Sequence, residues 1–478
     1  GIQYQYQYLH IFYILEKKMK YCSTRNKNLN FDFKQIFQRS LAPDGGLFIP
    51  KKIKKFSSKD LKKLKKLNYV DLAVAVISSF CEPIFNKQQL KAIIKKSYKK
   101  FKKKNVVNLV KINRDILLEL YHGPTLAFKD IAMQCIGNIY EEFNKNNNEI
   151  TNIVVATSGD TGAAAISALS NRKNINLFIL HPHNKISKIQ RKIMTTIGGD
   201  NIYNIAINGS FDDCQNIVKK MFSDNLFRQT VNMSGVNSIN WARIIFQIVY
   251  YFYSFLRLGN KKINFSVPTG NFGDIYAGYM AKKMGLPIEK LIIATNENDI
   301  LQRVINKGIY KPSKVRASIS PSMDIQVSSN FERLLFYVLN SKDTEVKKLM
   351  NNLETKGYFT LSKSQKKIIQ KDFAACKVSN KETKKVIKNI YKQNNFFIDP
   401  HTATGFYAAN KIKTNYPCVI LGTAHPYKFL ETMKSITDKK IKKPSQLSKS
   451  IVGKEKYDIL NNNTNTIKKY ILEKYYEN

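Results

Sequence analysis

Short apolar runs alternate with turns and helical segments from about residue 112 onward, and this alternation constrains the fold more than any other feature of the sequence. The runs are DILLELY, NIVVATS, INLFIL, NIYNIAI, KINFSVP, KLIIATN and PCVILGT. Buried strands that alternate with helices are typical of parallel sheets covered on both faces. Ligands of such folds bind beyond the carboxyl ends of the strands. The turns that follow these runs are therefore the first candidates for a functional site.

The segments outside this alternation are helical or rich in charge. Residues 51–105 carry lysine-rich helical patterns, among them SSKDLKKLKKL, which begins with a typical N-cap. Residues 332–394 interrupt the alternation, and we interpret them as a helical insertion. We expect residues 436–478, which are rich in lysine and asparagine, to form a peripheral tail. With 478 residues and 43% hydrophobic content, the chain is long enough for more than one domain.

The formal net charge of +44 raises the alternative of a nucleic-acid-binding protein. Only 11 of the 79 basic residues are arginine, the residue that nucleic-acid surfaces favour for bidentate contacts. The lysines are spread along the whole chain and occur together with asparagine, as in NKNNNEITN. We therefore interpret the charge as a solvated lysine surface that could steer anionic substrates, and we expect no specific nucleic-acid partner.

Cysteine and histidine form no metal-binding pattern in the sequence. The six cysteines include no CxxC spacing and the six histidines no HExxH motif, so no metal is expected. Scattered thiols indicate a reducing compartment, and we expect a cytoplasmic protein. No apolar run is long enough to span a membrane, since IIFQIVYYFYSFL suits a buried helix better. Residues 1–18 precede Met19 and lack an initiating methionine, and we expect an extra segment outside the native structure.

One lysine differs from the others in its surroundings. Lys129 follows the uncharged, turn-forming stretch YHGPTLAF and precedes IAMQCIGNIYEEF, which is apolar at helical spacing. It therefore lies where a strand passes into a helix, whereas most other lysines sit in solvated runs such as LKKLKKL. This position makes Lys129 a candidate functional residue.

Two glycine-bearing turns that precede helices predict anion sites. PTGNFGD at 268–274 has glycines that allow close backbone approach and a helix N-terminus that favours a phosphate. It matches neither GxGxxG nor GxxxxGK[ST], so a nucleotide site is not indicated. ATSGDTGAAA at 156–165 adds hydroxyls to the same design, which suits a carboxylate or a second phosphate. The alternatives are a ligand-free glycine turn and simple helix capping.

A third turn, GTAHPYKF at 422–429, follows PCVIL and places the Thr423 hydroxyl at a strand end. Taken alone, such a threonine is more often structural. A lysine at a strand–helix junction, a phosphate loop, an anion loop and a hydroxyl together fit a lysine that forms a Schiff base with pyridoxal 5'-phosphate. The cofactor phosphate would lie in the Gly-Asn-Phe-Gly loop, and the hydroxyl would face the pyridine nitrogen.

Several longer motifs resemble the threonine synthase family. They are ELYHGPTLAFKD, ATSGDTGAA, SVPTGNFGD, IIATNEND and LGTAHPYKF, in the family's order, and YCSTRN followed by LAPDGGLFIP resembles the family's start. The resemblance runs from about Met19 to about Thr437 and is closest to the longer form of the enzyme. It implies a tryptophan-synthase-β-like α/β fold (fold type II), with two parallel-type α/β domains around a central cleft, an N-terminal domain and a helical insertion.

The resemblance also implies an activity and a set of site residues. The family converts O-phospho-L-homoserine and water to L-threonine and phosphate by pyridoxal-phosphate-dependent γ-elimination and β-addition, the last step of threonine biosynthesis. By motif match, Lys129 forms the Schiff base and is the catalytic residue. The implied cofactor-binding residues are Lys129, Gly270, Asn271, Phe272, Gly273, Asp274 and Thr423. The implied substrate-binding residues in the anion loop are Ser158, Gly159, Asp160 and Thr161. Lys185, in HPHNKIS, and Asn240 and Arg243, in NSINWAR, match segments that line the family's substrate-phosphate pocket.

The expected domains follow from the same resemblance. Residues 19–105 form the N-terminal domain and residues 106–435 the catalytic domain, which contains a smaller α/β subdomain at about 150–225. The expected partner is the small-molecule substrate, and the expected assembly is a monomer or a homodimer.

Three alternatives stay open at the level of sequence. Another enzyme of the same fold, such as a threonine dehydratase or cysteine synthase, would need no second phosphate pocket, and HGPTLAFKD is not typical of those enzymes. A catalytically inactive relative conflicts with the intact Lys129 and phosphate loop. A nucleic-acid-binding protein would explain the charge but none of the turns.

Overall fold

The computed structural model describes residues 19–146, 148–259, 261–447 and 451–477. The segment 1–18, for which the sequence predicts an extra extension, lies outside the described residues. Within those ranges, no helix combines the length and the apolar character needed to cross a membrane.

The strands and helices follow the predicted alternation. In chain order, the strands are β1 Tyr21–Ser23, β2 Asn26–Phe31, β3 Phe48–Pro50, β4 Asn108–Ile112, β5 Asp115–Glu119, β6 Thr151–Ala156, β7 Ile175–Pro182, β8 Ile202–Asn208, β9 Met233–Ser234, β10 Ile263–Pro268, β11 Ile288–Thr295, β12 Ile309–Tyr310, β13 Phe359–Thr360, β14 Phe373–Lys377, β15 Cys418–Gly422 and β16 Asp458–Asn461. The helices are α1 Phe33–Arg39, α2 Ser58–Leu64, α3 Tyr69–Cys81, α4 Lys87–Ser97, α5 Lys129–Asn144, α6 Asp160–Leu169, α7 Lys188–Thr195, α8 Phe211–Ser223, α9 Asn225–Thr230, α10 Trp241–Leu258, α11 Gly273–Lys283, α12 Ile300–Lys307, α13 Phe331–Val338, α14 Asp343–Lys356, α15 Lys363–Asp372, α16 Asn380–Asn394, α17 Pro400–Lys411, α18 Leu430–Thr437 and α19 Thr464–Glu477.

The N-terminal part pairs a small antiparallel sheet, of order β2-β1-β3, with helices α1 to α4. Helix α2 begins as the SSKD pattern predicts. The Ser57 hydroxyl accepts the Asp60 N–H, and the Asp60 carboxylate accepts the Ser57 N–H. This reciprocal capping satisfies two N–H groups that the helix itself leaves unpaired.

The larger sheet has the order β14-β11-β10-β15-β5-β4. All neighbours in it are parallel except the edge strand β4, which runs antiparallel to β5. The segment 332–394 is mainly helical, as predicted, but it also contains the short strands β13 and β14, which the sequence prediction missed. The run FAACK is too short and too mixed to stand out between two charged helices, yet it pairs with β11 along its length.

The smaller sheet has the order β16-β8-β7-β6-β9, and all its neighbours are parallel. Strand β16 belongs to the segment 436–478, which corrects the expectation of a peripheral tail. It pairs with β8 from Asp458 to Asn461, and α19 buries Ile467 and Ile471 against the helices of this domain. The chain therefore returns from the larger domain to complete the smaller one.

Helix α10 joins the parts through the main hydrophobic core. All of its residues except the last two are buried, and it packs against α3, α5 and α11. This buried helix contains the apolar run IIFQIVYYFYSFL, as predicted. The two parallel sheets, with the N-terminal part and the cleft described below, confirm the predicted fold class.

Candidate active site

Lys129 is the first residue of α5, at the junction that the sequence predicts. The preceding main chain is bonded to the segment that follows β15: the Phe128 N–H donates to the Thr423 carbonyl at 2.9 Å, and Ala127 forms an antiparallel bridge with Ala424. Lys129 is thereby fixed at the carboxyl end of β15, an interior strand of the larger sheet.

The turn before Lys129 is held by a buried carboxylate. Asp130 accepts the Thr125 N–H at 2.8 Å and the Thr125 hydroxyl at 2.6 Å. A Cβ at Gly123 would lie 2.5 Å from the Asp130 Cβ, so this close approach requires glycine. Sequence reasoning did not single out Asp130, although its place directly after Lys129 in FKD was the available signal.

The Lys129 amine faces a carboxylate of the smaller domain. Its Nζ lies 3.7 Å from Asp160 Oδ2, and a second buried lysine, Lys428, forms an ion pair with the other oxygen of the same carboxylate. The Ser322 hydroxyl also donates to Asp160 Oδ2, at 3.3 Å. Lys428 lies within the motif LGTAHPYKF, but sequence reasoning gave that motif only one site residue, Thr423.

Burial sets the protonation behaviour of this cluster. Burial, together with the nearby charges of Arg243 and Lys428, lowers the pKa of Lys129 to about 8, although Asp160 partly opposes this shift. Burial acts to raise the pKa of Asp160, but the charges of Lys428 and Lys129 outweigh it and hold that pKa well below its usual range. Asp160 therefore stays ionised, while Lys129 can lose its proton near neutral pH.

Asp160 follows a turn whose shape depends on Thr157. The Thr157 hydroxyl accepts the N–H groups of Gly159 at 3.0 Å and Gly162 at 2.9 Å. Gly159 has a φ of +138°, which side chains rarely adopt. Ser158 and Thr161 remain partly exposed beside this turn, and helix α6 starts at Asp160.

The second glycine-bearing turn, 270–274, follows β10 and includes the first two residues of α11. Its carbonyls are held from behind, because the Ser328 hydroxyl donates to the Gly270 carbonyl at 2.6 Å and the Asn330 amide donates to the Asn271 carbonyl at 3.0 Å. Phe272 adopts a left-handed conformation with φ of 64°, and α11 begins at Gly273. The first N–H groups of a helix have no partner within the helix, so this turn can bind an anion.

Asp274, in the first turn of α11, is a buried carboxyl group that holds its proton more tightly than an ordinary aspartate. Burial raises its pKa to about 7, against the hydrogen bonds from Tyr250 and Tyr251, which favour the charged form. Tyr251 donates to Asp274 Oδ1 at 3.0 Å, and Tyr250 donates to the same oxygen. A carboxyl that is protonated part of the time repels a neighbouring phosphate less than a permanent anion does.

Thr423 lies directly after β15 and is buried. Its carbonyl holds Phe128, as described above, and among the described residues no hydrogen bond uses its hydroxyl. That hydroxyl is therefore free to bind a ligand.

The three residues predicted for a substrate-phosphate pocket have different surroundings. Arg243 is buried, donates to the Val236 carbonyl at 3.4 Å, and within the described ranges has no partner for its Nε. Burial lowers its pKa to about 10. Lys185 is exposed.

Asn240 has a structural role instead. Its amide nitrogen donates to the Phe37 carbonyl at 3.0 Å, the Ser40 hydroxyl at 2.9 Å and the Gly235 carbonyl at 3.1 Å, while its oxygen caps α10 by accepting the Ala242 N–H. Because both ends of the amide are occupied, Asn240 has no group left for a substrate, and we remove it from the predicted contacts.

A buried Asp–His pair adds to the site, and sequence reasoning missed it. Asp399 Oδ2 lies 2.7 Å from His401 Nδ1, and the Ser322 N–H donates to His401 Nε2 at 3.1 Å. Nε2 is therefore the unprotonated nitrogen, and Nδ1 carries the proton that binds Asp399. The available signal was DPHT, which resembles an ordinary helix start because Asp399 also caps α17.

This arrangement fits pyridoxal phosphate. Lys129 offers a buried amine, the 270–274 turn offers a helix N-terminus, and Thr423 offers a free hydroxyl. A Cβ at Gly270 would lie 3.0 Å from the Ser322 carbonyl, so only glycine leaves space at this turn. The amine, the phosphate-binding turn and the hydroxyl that the sequence predicts for this cofactor are thus all present in the fold.

Family models match most of the chain in three consecutive parts. Threonine synthase N terminus matches residues 20–98, pyridoxal-phosphate dependent enzyme matches residues 109–360, and threonine synthase, C-terminal matches residues 402–471.

Individual relatives agree with the family models. A threonine synthase of Pseudomonas aeruginosa is 43% identical over 420 residues, which cover 87% of this chain and 90% of the relative. A threonine synthase of Saccharomyces cerevisiae is 43% identical over 493 residues, covering 92% and 96%. The solved structure of a PLP-bound threonine synthase from Brucella melitensis superposes with a TM-score of 0.91 at 41% identity, covering 95% of this chain and 99% of that one. The chain belongs to the threonine synthase family of pyridoxal-phosphate-dependent enzymes.

Proposed function

We propose that this enzyme converts O-phospho-L-homoserine and water to L-threonine and phosphate. Membership of the threonine synthase family supports the reaction class. The single observation that carries the proposal at the site is the buried amine of Lys129, whose pKa is lowered to about 8 and which faces the Asp160 carboxylate.

The proposed cofactor contacts are Lys129, the turn from Gly270 to Asp274, and Thr423. Lys129 would hold the cofactor through its amine, the N-terminus of α11 would bind the phosphate, and the Thr423 hydroxyl would meet the ring nitrogen. When bound, pyridoxal phosphate withdraws electrons from the substrate and makes its α-proton acidic.

Lys129 is the proposed base that moves protons at the substrate α- and β-carbons. With a pKa of about 8, about one amine in ten is neutral at pH 7, which is far more than for an ordinary lysine. Asp160 positions the amine from the opposite side of the cleft. It also holds Lys428, so loss of either lysine would leave a buried charge with fewer partners.

The charge around Lys129 suits a substrate that carries a phosphate. Its charged neighbours are two cations, Arg243 and Lys428, and one anion, Asp160. We propose that Arg243 and the hydroxyls and N–H groups of Ser158, Gly159 and Thr161 bind the substrate anions. Lys185 stays a candidate from the sequence, because its exposed position lies at the end of β7.

A dehydratase of the same fold is the weaker alternative, because it would not require the buried, incompletely hydrogen-bonded Arg243. A nucleic-acid-binding role explains none of the buried groups in the cleft.

We further propose a cytoplasmic location, because all six cysteines are free, as expected in a reducing compartment. Light scattering of the purified enzyme would decide between the predicted monomer and homodimer.

The direct test is turnover of O-phospho-L-homoserine by the enzyme loaded with pyridoxal phosphate. We expect one phosphate released for each threonine formed, with threonine identified by chromatography. Homoserine and serine serve as matched substrates without the phosphate, and we expect both to react at least about a hundredfold more slowly, since two or more charged hydrogen bonds are lost. Comparable turnover of serine, or phosphate release without threonine, would favour the dehydratase alternative.

A further inference from the structure

A cavity of about 880 Å³ lies at the edge of the larger sheet, and its lining does not include the residues proposed above for the active site. We propose that it is a binding site for a small aromatic molecule that carries a phosphate. The proposal does not depend on the substrate proposed above, because Lys129, Asp160 and the 270–274 turn are not among the described residues that line this cavity.

The cavity is built at the open edge of the larger sheet. Its walls come from β4, the end of β5, the segment 395–397 before α17, and the segment 440–446 after α18. His425, which also lines it, donates its N–H to the Leu126 carbonyl at 3.0 Å. The cavity therefore shares one wall with the segment that leads to Lys129.

Five lysines surround this cavity, and they are Lys102, Lys103, Lys440, Lys442 and Lys443. None of them forms an ion pair with a residue of the described ranges. The one carboxylate in the lining, Glu119, is already bonded by Asn108 at 2.8 Å, Tyr121 at 2.9 Å and His122 at 2.9 Å. With five lysines against one carboxylate, the lining carries a net positive charge, which favours an anion.

The remaining lining is largely aromatic. Phe396, Phe397, Tyr121 and His425 contribute rings, and the Tyr121 ring meets the His425 ring edge to face at 5.5 Å. Flat aromatic walls favour a planar, apolar body by stacking and edge contacts.

Size and charge together define the ligand class. Small-molecule sites usually have volumes of about 300–1,000 Å³, with an apolar lining and few polar groups. A cavity of this volume accommodates one or two rings with a phosphate. Several lysines act as point charges on a dianion, which favours a phosphate over a single carboxylate.

The test uses 1-naphthyl phosphate and the enzyme loaded with pyridoxal phosphate, so that the catalytic phosphate loop is filled. We expect saturable binding below about 1 mM by calorimetry, at least about tenfold weaker binding of 1-naphthol and of inorganic phosphate, and no competition from O-phospho-L-homoserine. The double variant Lys442→Glu/Lys443→Glu should weaken binding of 1-naphthyl phosphate at least about tenfold, because it reverses two charges of the cavity.

The matched control is Lys347→Glu/Lys348→Glu, which makes the same change of charge on the exposed face of α14. We expect its affinity to stay within about threefold of the wild type. Equal losses in the two double variants would mean that the net charge alone attracts the probe, and that would overturn the proposal. The absence of saturable binding, or displacement by O-phospho-L-homoserine, would overturn it as well.

Discussion

The turns that follow β6 and β10 have the same design, but their aspartate side chains differ in charge. Each leads from a parallel strand through glycine into a helix, and each places an aspartate in the first helical turn. Asp160 is held as an anion by Lys129 and Lys428, whereas burial raises the pKa of Asp274 to about 7. A similar sequence pattern thus gives one turn a fixed negative charge and the other a carboxyl close to neutral.

This difference shows what each turn can do. The 270–274 turn adds little negative charge to its helix N-terminus, so that end of α11 suits a phosphate. In the other turn the carboxylate itself is the functional group, because it reaches across the cleft to Lys129. Only the ion partners, which come from distant parts of the chain, separate the two roles.

The largest expected effect comes from neutralising each carboxylate in turn. Asp160→Asn leaves Lys129 and Lys428 without their partner, and breaking a buried ion pair costs roughly 3–5 kcal/mol. We expect kcat/KM for O-phospho-L-homoserine to fall at least about a hundredfold. Asp274→Asn keeps a neutral group that can still accept from Tyr251, and we expect less than a tenfold loss.

Steady-state kinetics of both variants, with circular dichroism to verify folding, measures this contrast. Similar losses in the two variants would show that the carboxylates do not differ in role.

A smaller effect is expected from adding a methyl group to each turn. Gly270→Ala brings a Cβ within 3.0 Å of the Ser322 carbonyl, and we expect roughly tenfold weaker binding of pyridoxal phosphate because the phosphate loses space. Gly159→Ala strains a residue with φ of +138°, and we expect a loss of about 1–3 kcal/mol of stability instead.

Titration of the apoenzyme with pyridoxal phosphate and urea unfolding separate these two outcomes. Weaker cofactor binding in Gly159→Ala alone would reverse the assignment of the two turns.

The smallest effect concerns how stability depends on pH. In the folded state Asp274 keeps its proton up to pH about 7, whereas in the unfolded state it loses the proton near pH 4. The contribution of this group to the free energy of unfolding therefore falls as the pH rises from about 4 to 7. Asp160 acts in the opposite sense, because its depressed pKa gives stability that is present above pH about 4 and is lost in acid.

Urea unfolding of the apoenzyme at pH 4, 5.5 and 7 measures both contributions. Between pH 4 and 7, we expect the free energy of unfolding of Asp274→Asn to rise by roughly 1–3 kcal/mol relative to that of the wild type. A constant difference across this range would contradict the raised pKa of Asp274.

Local sequence patterns predicted the alternation of strands and helices and the placement of Lys129 at a strand–helix junction. They did not predict the partners of Asp160, because Ser322 and Lys428 lie more than 160 residues away along the chain. Strands β14 and β16 were missed for a related reason. Each is short and flanked by charged residues, and only its pairing with β11 or β8 identifies it as part of a sheet.

The outcome for Asn240 shows the limit of transferring a motif. The segment NSINWAR was predicted to line the substrate-phosphate pocket through Asn240 and Arg243. Among the described residues, the Arg243 Nε has no hydrogen-bond partner, whereas both the nitrogen and the oxygen of the Asn240 amide are hydrogen-bonded to the protein. Neighbouring residues of one helix start can thus have different roles, and only the tertiary contacts reveal which.

The central claim is that Lys129, and not the more deeply buried Lys428 on the same carboxylate, holds the cofactor. Borohydride reduction of the enzyme loaded with pyridoxal phosphate, followed by digestion and mass spectrometry, tests it most directly. We predict the reduced cofactor on the peptide that contains Lys129, its loss in Lys129→Ala, and its retention in Lys428→Gln. Label on Lys428, or on any other lysine of the wild type, would contradict this account.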